Sequence, residues 1–430
     1  MGIDLGSSGL RLAIVTAAGQ PLGQFHSAYP TGFDDPLAWR EGLEALLGQV
    51  DPQVRRRIGA LAIDGTSGTL LLCRPDGSLL PGPLSRALPY HLACPEQQRA
   101  AVALLADDPT ARGGPAASAT GSLARALRLL ELAGRDGVEP PLLLRHQADW
   151  LAGWCLDDWR WGEEGNNVRL GWDLEQGRWA GLLAVQPWAG ALPRIRASGE
   201  PLGPLATTVA ERLGLPSSCQ VVAGSTDANA AVLAACPGPG DGITVLGTTL
   251  VLKRFVDAPI RGPGISNHRL DGRWLAGGAS STGAGILRRF FSDGQLAELS
   301  RQIDPRRSSG LQLRPLLRRG ERFPLDDPDL EPILKPRPVS DVLYLQGLLE
   351  GLAAMEQAGW QRLHDAGAPP LQRVISLGGG AVNPQWRALR QRLLGVPVLN
   401  RPALSAALGM AELARRALQM PAAASSMGAT

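Results

Sequence analysis

The chain opens on alternating apolar and small or polar positions. Ile3 and Leu5 flank Asp4, the turn Gly6-Ser7-Ser8-Gly9 follows, and Leu10–Thr16 runs out again. This pattern predicts a β-hairpin, and Pro21–Tyr29 predicts a further strand. Asp34-Asp35-Pro36 then supplies acidic caps and a first-turn proline, with Leu43, Leu46 and Leu47 at helical spacing, which predicts a helix through Val50. The apolar run Ile58–Asp64 reads as a buried strand ending in Gly65-Thr66-Ser67-Gly68. Thr69–Cys73 with the Pro75-Asp76-Gly77 turn predicts another hairpin, and Ser118–Leu132 and Gln147–Leu156 predict helices. Gln220–Ala223 reads as a strand feeding a helix over Ser225–Ala235.

Pro237-Gly238-Pro239-Gly240-Asp241-Gly242 interrupts the pattern as a linker. Beyond it the opening motif recurs: Ile243–Leu246, a small-residue turn Gly247-Thr248-Thr249, and Leu250–Phe255. A helix is expected from Ser281 and a long amphipathic one over Ser340–Ala366. The strand Val374–Leu377 ends in Gly378-Gly379-Gly380, ahead of Asn383 and another helix. The expectation is an α/β chain of two units, 1–236 and 241–430, each starting with the same hairpin. A cleft between two such units is a preferred ligand position.

Composition narrows the function classes. The chain has 430 residues, 44% hydrophobic and 19% charged, enough for two cored domains. A net charge of +3, with scattered arginines, gives no case for nucleic acid. Cys73, Cys94, Cys155, Cys219 and Cys236 form neither a zinc nor a disulfide pattern and fit reduced thiols in the cytoplasm. No charged leader with an apolar core precedes the first strand, and no run of about 18 apolar residues predicts a membrane span. Seven of the 11 tryptophans fall within 150–188, where packing is the expected role of each. His26, His91, His146, His268 and His364 are dispersed without metal-ligand spacing; only His91, in a segment that could border a ligand, is a candidate contact.

Four segments carry candidate chemistry. The Gly6-Ser7-Ser8 turn can bring backbone N–H groups and hydroxyls close to a phosphate, with Asp4 toward a nucleotide-bound Mg²⁺ and Arg11 toward a phosphate oxygen. Read alone, the turn fits an ordinary glycine-rich hairpin better than a phosphate site, and Arg11 fits a solvated strand charge almost as well as a phosphate contact. Gly247-Thr248-Thr249 offers a second phosphate turn. Gly378-Gly379-Gly380 is a side-chain-free surface on which an adenine ring can lie, with Asn383 beside it. Asp227, in Ala223-Gly224-Ser225-Thr226-Asp227, falls in a first helical turn, where a carboxylate can accept a hydroxyl proton during phosphoryl transfer. Neither a Walker-type loop nor the dinucleotide glycine turn is present in the sequence.

Together these segments resemble the FGGY carbohydrate kinases of the actin-like superfamily. The first family motif is met by Asp4, Gly6, Ser7, Ser8 and Arg11, and the second phosphate turn by Gly247, Thr248 and Thr249. The adenosine motif is met by Gly378, Gly379, Gly380, Asn383 and Trp386, and the C-terminal helix motif by Leu348-Leu349-Glu350-Gly351-Leu352-Ala353. The resemblance implies two actin-like, ribonuclease H-like ATPase domains with an interdomain cleft, ATP and Mg²⁺, and Asp227 as catalytic base. Asp4, Thr66, Ser67 and Asp227 would meet the sugar, and Asp4 the metal.

Within the family, Ile63–Thr69, Tyr90–Pro95, Asn166-Asn167, Leu170–Asp173, His268–Leu270 and Gly277–Ser280 are similar to the cyanobacterial and plant xylulose-kinase-like group that phosphorylates D-ribulose. Thr66-Ser67 replaces the Met-His pair of many xylulose kinases, their Trp-x-Asp-x-Arg segment is absent, and His91 stands where the group has Asn. The resemblance implies a cytoplasmic enzyme, monomer or weak homodimer, converting a free ketopentose such as D-ribulose to its 5-phosphate. Its partners would be a small sugar and ATP, with no nucleic acid and no membrane. The alternatives are a kinase for xylulose or another polyol, and a non-metabolic actin-like ATPase.

Overall fold

A computed structural model describes residues 1–419. The chain divides into two compact units. The first holds Met1–Ala234, Arg269–Gly272 and the chain from Ser405; the second holds Ala235–His268 and Arg273–Leu404.

The first unit is built on strands β1 (Gly2–Gly6), β2 (Gly9–Val15), β3 (Pro21–Ser27), β4 (Ala60–Gly65), β5 (Pro201–Pro204) and β6 (Gln220–Thr226), in the order β5-β6-β4-β1-β2-β3. The β1–β2 hairpin forms as expected, with Gly6 opposite Gly9 across Ser7-Ser8. Glycine is required at position 9: its φ is +150°, and a Cβ there would lie 2.5 Å from the carbonyl oxygen of Ser27. β1, β4 and β6 are parallel, with Asp4 opposite Asp64 and Asp64 opposite Ser225. The helix Pro36–Gly48 is capped by Asp35, whose carboxylate accepts from Leu37 N–H, and buries Leu43, Leu46 and Leu47 in the same core as Ile3, Leu12 and Leu61. The helix Ala406–Ala417 lies close against the unit: a Cβ on Gly2 would lie 2.0 Å from the Ala407 carbonyl oxygen, and one on Gly409 would lie 1.8 Å from that of Ala230.

Several local expectations shift. Leu70–Cys73 does turn at Pro75–Gly77, but across it only isolated bridges form among the described residues, Cys73 with Leu79 and Leu70 with Leu88; the ladder partner is Leu143–His146, far along the chain. The helix expected from Ser118 begins at Ser122, because Pro115–Ala117 already forms a 3₁₀ turn and Gly121 caps the helix. Ser225 and Thr226 finish β6 rather than open the helix, which spans Asp227–Ala234. Trp39 and Trp150 pack edge to face, as do Trp172 and Trp179 across a short antiparallel pair, consistent with packing roles.

The second unit repeats the plan with β7 (Asp241–Leu246), β8 (Leu250–Val256), β9 (Ile265–Leu270), β10 (Arg273–Ala279), β11 (Arg373–Leu377) and β12 (Val398–Asn400), ordered β9-β10-β8-β7-β11-β12. Each sheet thus contains three adjacent antiparallel strands, β1-β2-β3 in the first and β7-β8-β10 in the second, whose first member pairs in parallel with a later strand. Asp241 and Gly242, read as linker, belong to β7. The helix expected from Ser281 is instead a 3₁₀ segment, Ala284–Arg289, followed by a helix Asp293–Arg301 that opens on a Ser292/Gln295 capping box. The long helix runs Asp341–Asp365 with Ser340 as its cap. Fully buried Arg390 holds Glu356 of that helix with two bonds of 2.6 and 2.7 Å and donates to Ser376 of β11 at 2.7 Å, while Thr244 of β7 donates to Glu356 at 2.6 Å. One satisfied ion pair therefore ties the two central parallel strands to two helices.

Candidate active site

Side chains that follow adjacent parallel strands emerge at one end of a sheet, and in the first unit that end is acidic. Asp4, near the end of β1, is 3% exposed and accepts from Arg11 Nη1 at 2.9 Å. Arg11 therefore sits on the carboxylate in this state, although it is expected at a phosphate. Gly6 keeps the approach open, since a Cβ there would lie 3.2 Å from the Arg11 guanidinium. Ser7 and Ser8 are exposed at the tip, and the buried Tyr29 hydroxyl anchors the turn by donating to the Gly6 carbonyl at 2.8 Å. Asp227 opens its helix, half-buried, and its Oδ1 accepts from Ala228 N–H at 2.7 Å.

Between these two acids lies one that sequence reasoning had not assigned to the site. Asp64, at the end of β4, is fully buried, and neither of its oxygens accepts a hydrogen bond from a donor in the protein. Burial pushes its carboxyl well above the ordinary range, and the neighbouring charges of Asp4 and Asp227 push the same way, with Arg11 opposing. The strand run ending in Asp64 was visible, but only the β1–β4 register makes it the neighbour of Asp4.

The turn after Asp64 was expected to face a sugar. Thr66 is buried and its hydroxyl is engaged within the protein, 2.9 Å from Gln147 Oε1 and 2.6 Å from Thr69 Oγ1. Ser67 is half-buried at the turn itself. Arg125, another residue not foreseen, fixes this region. Its guanidinium donates to the carbonyls of Gly68, Tyr90, Leu92 and Thr120, at 2.7–3.0 Å, so it ties the Gly65–Thr69 turn to the Tyr90–Pro95 segment. Burial lowers its affinity for its proton to a pKa of about 10. His91 is exposed with its ring edge-on to Tyr90. Asn166 donates to the Ser225 carbonyl at 3.2 Å and to Glu163 at 3.0 Å, bracing the strand end that leads to Asp227.

The second unit presents a different surface. Gly247, Thr248, Gly379, Gly380 and Asn383 line one cavity of about 730 Å³, a volume suited to a small ligand. The Gly247–Thr249 turn is held by Ala284 N–H on the Gly247 carbonyl at 2.9 Å and Gly285 N–H on the Thr248 carbonyl at 3.2 Å, which leaves the Thr248 side chain exposed. Gly378, at φ +82°, turns the chain out of β11. A Cβ on Gly379 would meet nothing within 4 Å, whereas one on Gly380 would lie 2.5 Å from the Trp386 ring. Gly379 is thus the open floor, and Gly380 lets Trp386 pack beneath it. Asn383 is committed at both ends: its Oδ1 accepts from Trp386 N–H at 2.9 Å and its Nδ2 donates to Ser300 at 2.8 Å. It shapes the cavity wall by capping the helix Pro384–Leu394.

Among the described residues no group of three or more His, Cys, Asp or Glu side chains could hold a metal by itself. The pair Asp4 and Asp64 nevertheless fits magnesium, which takes one or two carboxylates and completes its shell with water and phosphate oxygens. Asp64, a buried carboxyl with no donor, is the group such an ion would satisfy.

The family model described as the C-terminal domain of the FGGY family of carbohydrate kinases matches residues 244–418. The whole chain is similar in fold to a xyloylose kinase from Brucella ovis, with a TM-score of 0.80 and 21% identity over 97% of this chain and 90% of that one. It is also similar to a xylulose kinase from Bifidobacterium adolescentis, at 0.79 and 19% over 97% and 92%. A Plasmodium falciparum glycerol kinase with ADP gives 0.77 and 14% over 97% and 90%. The expected mixed α/β fold is therefore the fold of this chain, and it is shared with these sugar kinases.

Proposed function

Taking the chain as a carbohydrate kinase of the FGGY type, with the family's C-terminal domain at 244–418, we propose that it phosphorylates a free ketopentose, converting D-ribulose to D-ribulose 5-phosphate with ATP. The observation that carries the proposal is the acidic strand end: Asp4, Asp64 and a helix-opening Asp227 lie beside an exposed Ser7-Ser8 turn. In this reading Ser67 and the Tyr90–Pro95 segment bind the sugar. Thr66 contributes by fixing its turn, and Asp4 and Asp227 meet the hydroxyl to be phosphorylated. The Asp227 carboxylate accepts the proton of that primary hydroxyl as its oxygen bonds to the γ-phosphorus and the bond to the β,γ-bridging oxygen breaks, releasing ADP.

Gly6, Ser7, Ser8 and Arg11 take the γ-phosphate, and Gly247, Thr248 and Thr249 the remaining phosphates. Gly378, Gly379 and Gly380 seat the adenine, and Asn383 holds the wall beside it. Asp4 and Asp64 would hold Mg²⁺, which supplies charge neutralisation on the phosphates. A base counts for less here than positioning, because a loose transition state forms little bond to the attacking oxygen and so puts little positive charge on it. The domains 1–236 and 241–430 would divide these tasks, sugar, base and γ-phosphate turn on the first, adenosine and the remaining phosphates on the second. With a free sugar and ATP as substrates we place the enzyme in the cytoplasm, as a monomer or weak homodimer.

The test is ADP release measured against a panel of free sugars and polyols. D-Ribulose should stimulate turnover most. D-Xylulose is the first competitor, because similarly folded proteins carry the name xylulose kinase. A stronger response to xylulose would move the substrate within the class. ATP turnover indifferent to every sugar would remove the kinase reading in favour of an actin-like ATPase.

A further inference from the structure

The first unit holds a charge arrangement that the phosphoryl-transfer reading uses only in part. Two carboxyls, Asp4 and Asp64, lie opposite each other on adjacent parallel strands, 3% and 0% exposed. The cation that meets them is Arg11, whose guanidinium is 2.9 Å from Asp4 while its side chain is 47% exposed. Asp64 accepts no hydrogen bond, and the charged groups facing it are Asp4, Asp227 and Arg11. A buried acid pair whose second carboxyl meets only the first, beside one solvent-reaching arginine, is costly as it stands. It becomes balanced when a second positive charge reaches both carboxyls.

Resting on the kinase reading, we propose that Asp64 is the second carboxyl of the divalent-cation site and that Arg11 is a resident counter-charge competing with the cation for Asp4. Released from Asp4, the Arg11 guanidinium is free to bind a phosphate oxygen. The solvent-reaching side chain of Arg11 suits exchange, and the hairpin that carries it is already pinned at Gly6 by Tyr29. Asp64 has the opposite character: fixed at the end of a central strand, it can wait for an ion but cannot move to one.

The experiment uses Mn²⁺ as the probe, added to the nucleotide-free full chain and followed by electron paramagnetic resonance. Arg11→Gln should bind Mn²⁺ at least tenfold more tightly than wild type, because the competitor is gone. Adding Asp64→Asn to Arg11→Gln should return the affinity to the wild-type level or below. Asparagine retains an N–H donor for Asp4, so a role limited to holding Asp4 by a hydrogen bond would survive that change. Equal Mn²⁺ affinity in wild type and Arg11→Gln overturns the competition. Undiminished affinity in the double variant, with unchanged melting, overturns the role of Asp64. Arg11 is exposed, so the first comparison stands even if the double variant folds poorly. Sugar-stimulated ADP release by wild type, measured alongside, separates these failures from a failure of the kinase reading.

Discussion

Where the first unit's β1 and β4 run out, the chain places Asp4 and Asp64; where the second unit's β7 and β11 run out, it places Gly247 and Gly378. The strand plans match, hairpin against parallel neighbour, yet one outlet is charged and nearly closed and the other is neutral and open. Asp64 has no exposed surface, while the position of a Gly379 Cβ is free of any atom within 4 Å. The difference shows how one scaffold can serve two tasks. Carboxyls at strand ends suit proton transfer and a cation, where field strength matters. Bare backbone at strand ends suits a flat ring and phosphate oxygens, where close approach matters.

The contrast breaks first at Asp227. Asp227→Ala should lower sugar phosphorylation by about 10²–10⁴-fold with ATP binding retained, as read by a coupled assay and calorimetry. Near-normal turnover would remove Asp227 from the chemistry. In the second unit the largest effect should be structural. Arg390→Met leaves Glu356 buried without its partner and should cost about 3–5 kcal/mol, seen as a lower denaturation midpoint in that unit.

The nucleotide floor can then be sharpened with two alanines. Gly379→Ala adds a methyl to open space and should weaken ATP binding about tenfold, roughly 1.4 kcal/mol, with melting unchanged. Gly380→Ala should lower both, because its methyl would press on Trp386 and Leu246. Equal effects of the two on melting would contradict the assignment of floor and support.

The pH response of the first unit offers a further contrast, at Glu163. Burial raises its carboxyl to about 8 although Gly165 N–H and the Asn166 N–H and side-chain amide all donate to it. Its folded value lies above the unfolded one, so its contribution is complete below about pH 4.5 and is lost as pH rises toward 8, at about 1.4 kcal/mol per unit of separation. Relative to wild type, Glu163→Gln should gain stability as the pH rises from 5 to 8. Asp64 and Glu164 shift in the same direction as Glu163, while the buried Met1 amino group and His268 are pushed the other way, so the difference between the two proteins is what isolates Glu163. Parallel curves would contradict the buried-acid account.

What could be read along the chain was whatever local chemistry writes. The Asp35 cap and the hairpin glycines each act within a few residues, and the elements they specify formed where expected. The Ser292/Gln295 capping box was equally local and marks a helix that was instead expected to start at Ser281. What could not be read depends on pairing at long range. Leu70–Cys73 finds its partner at Leu143–His146, Asp64 joins Asp4 only through strand register, and Arg125 gathers carbonyls from three separate segments. For the site, residue types were legible, but not which polar groups the protein had already used, as with Thr66 and Asn383.

The most direct test is a crystal structure with a non-hydrolysable ATP analogue, Mg²⁺ and D-ribulose. The account predicts adenine on the Gly378–Gly380 floor, the γ-phosphate at Ser7-Ser8, and a primary hydroxyl of the sugar hydrogen-bonded to Asp227. A triphosphate bound away from Ser7-Ser8, or a sugar whose hydroxyls do not reach Asp227, would contradict it.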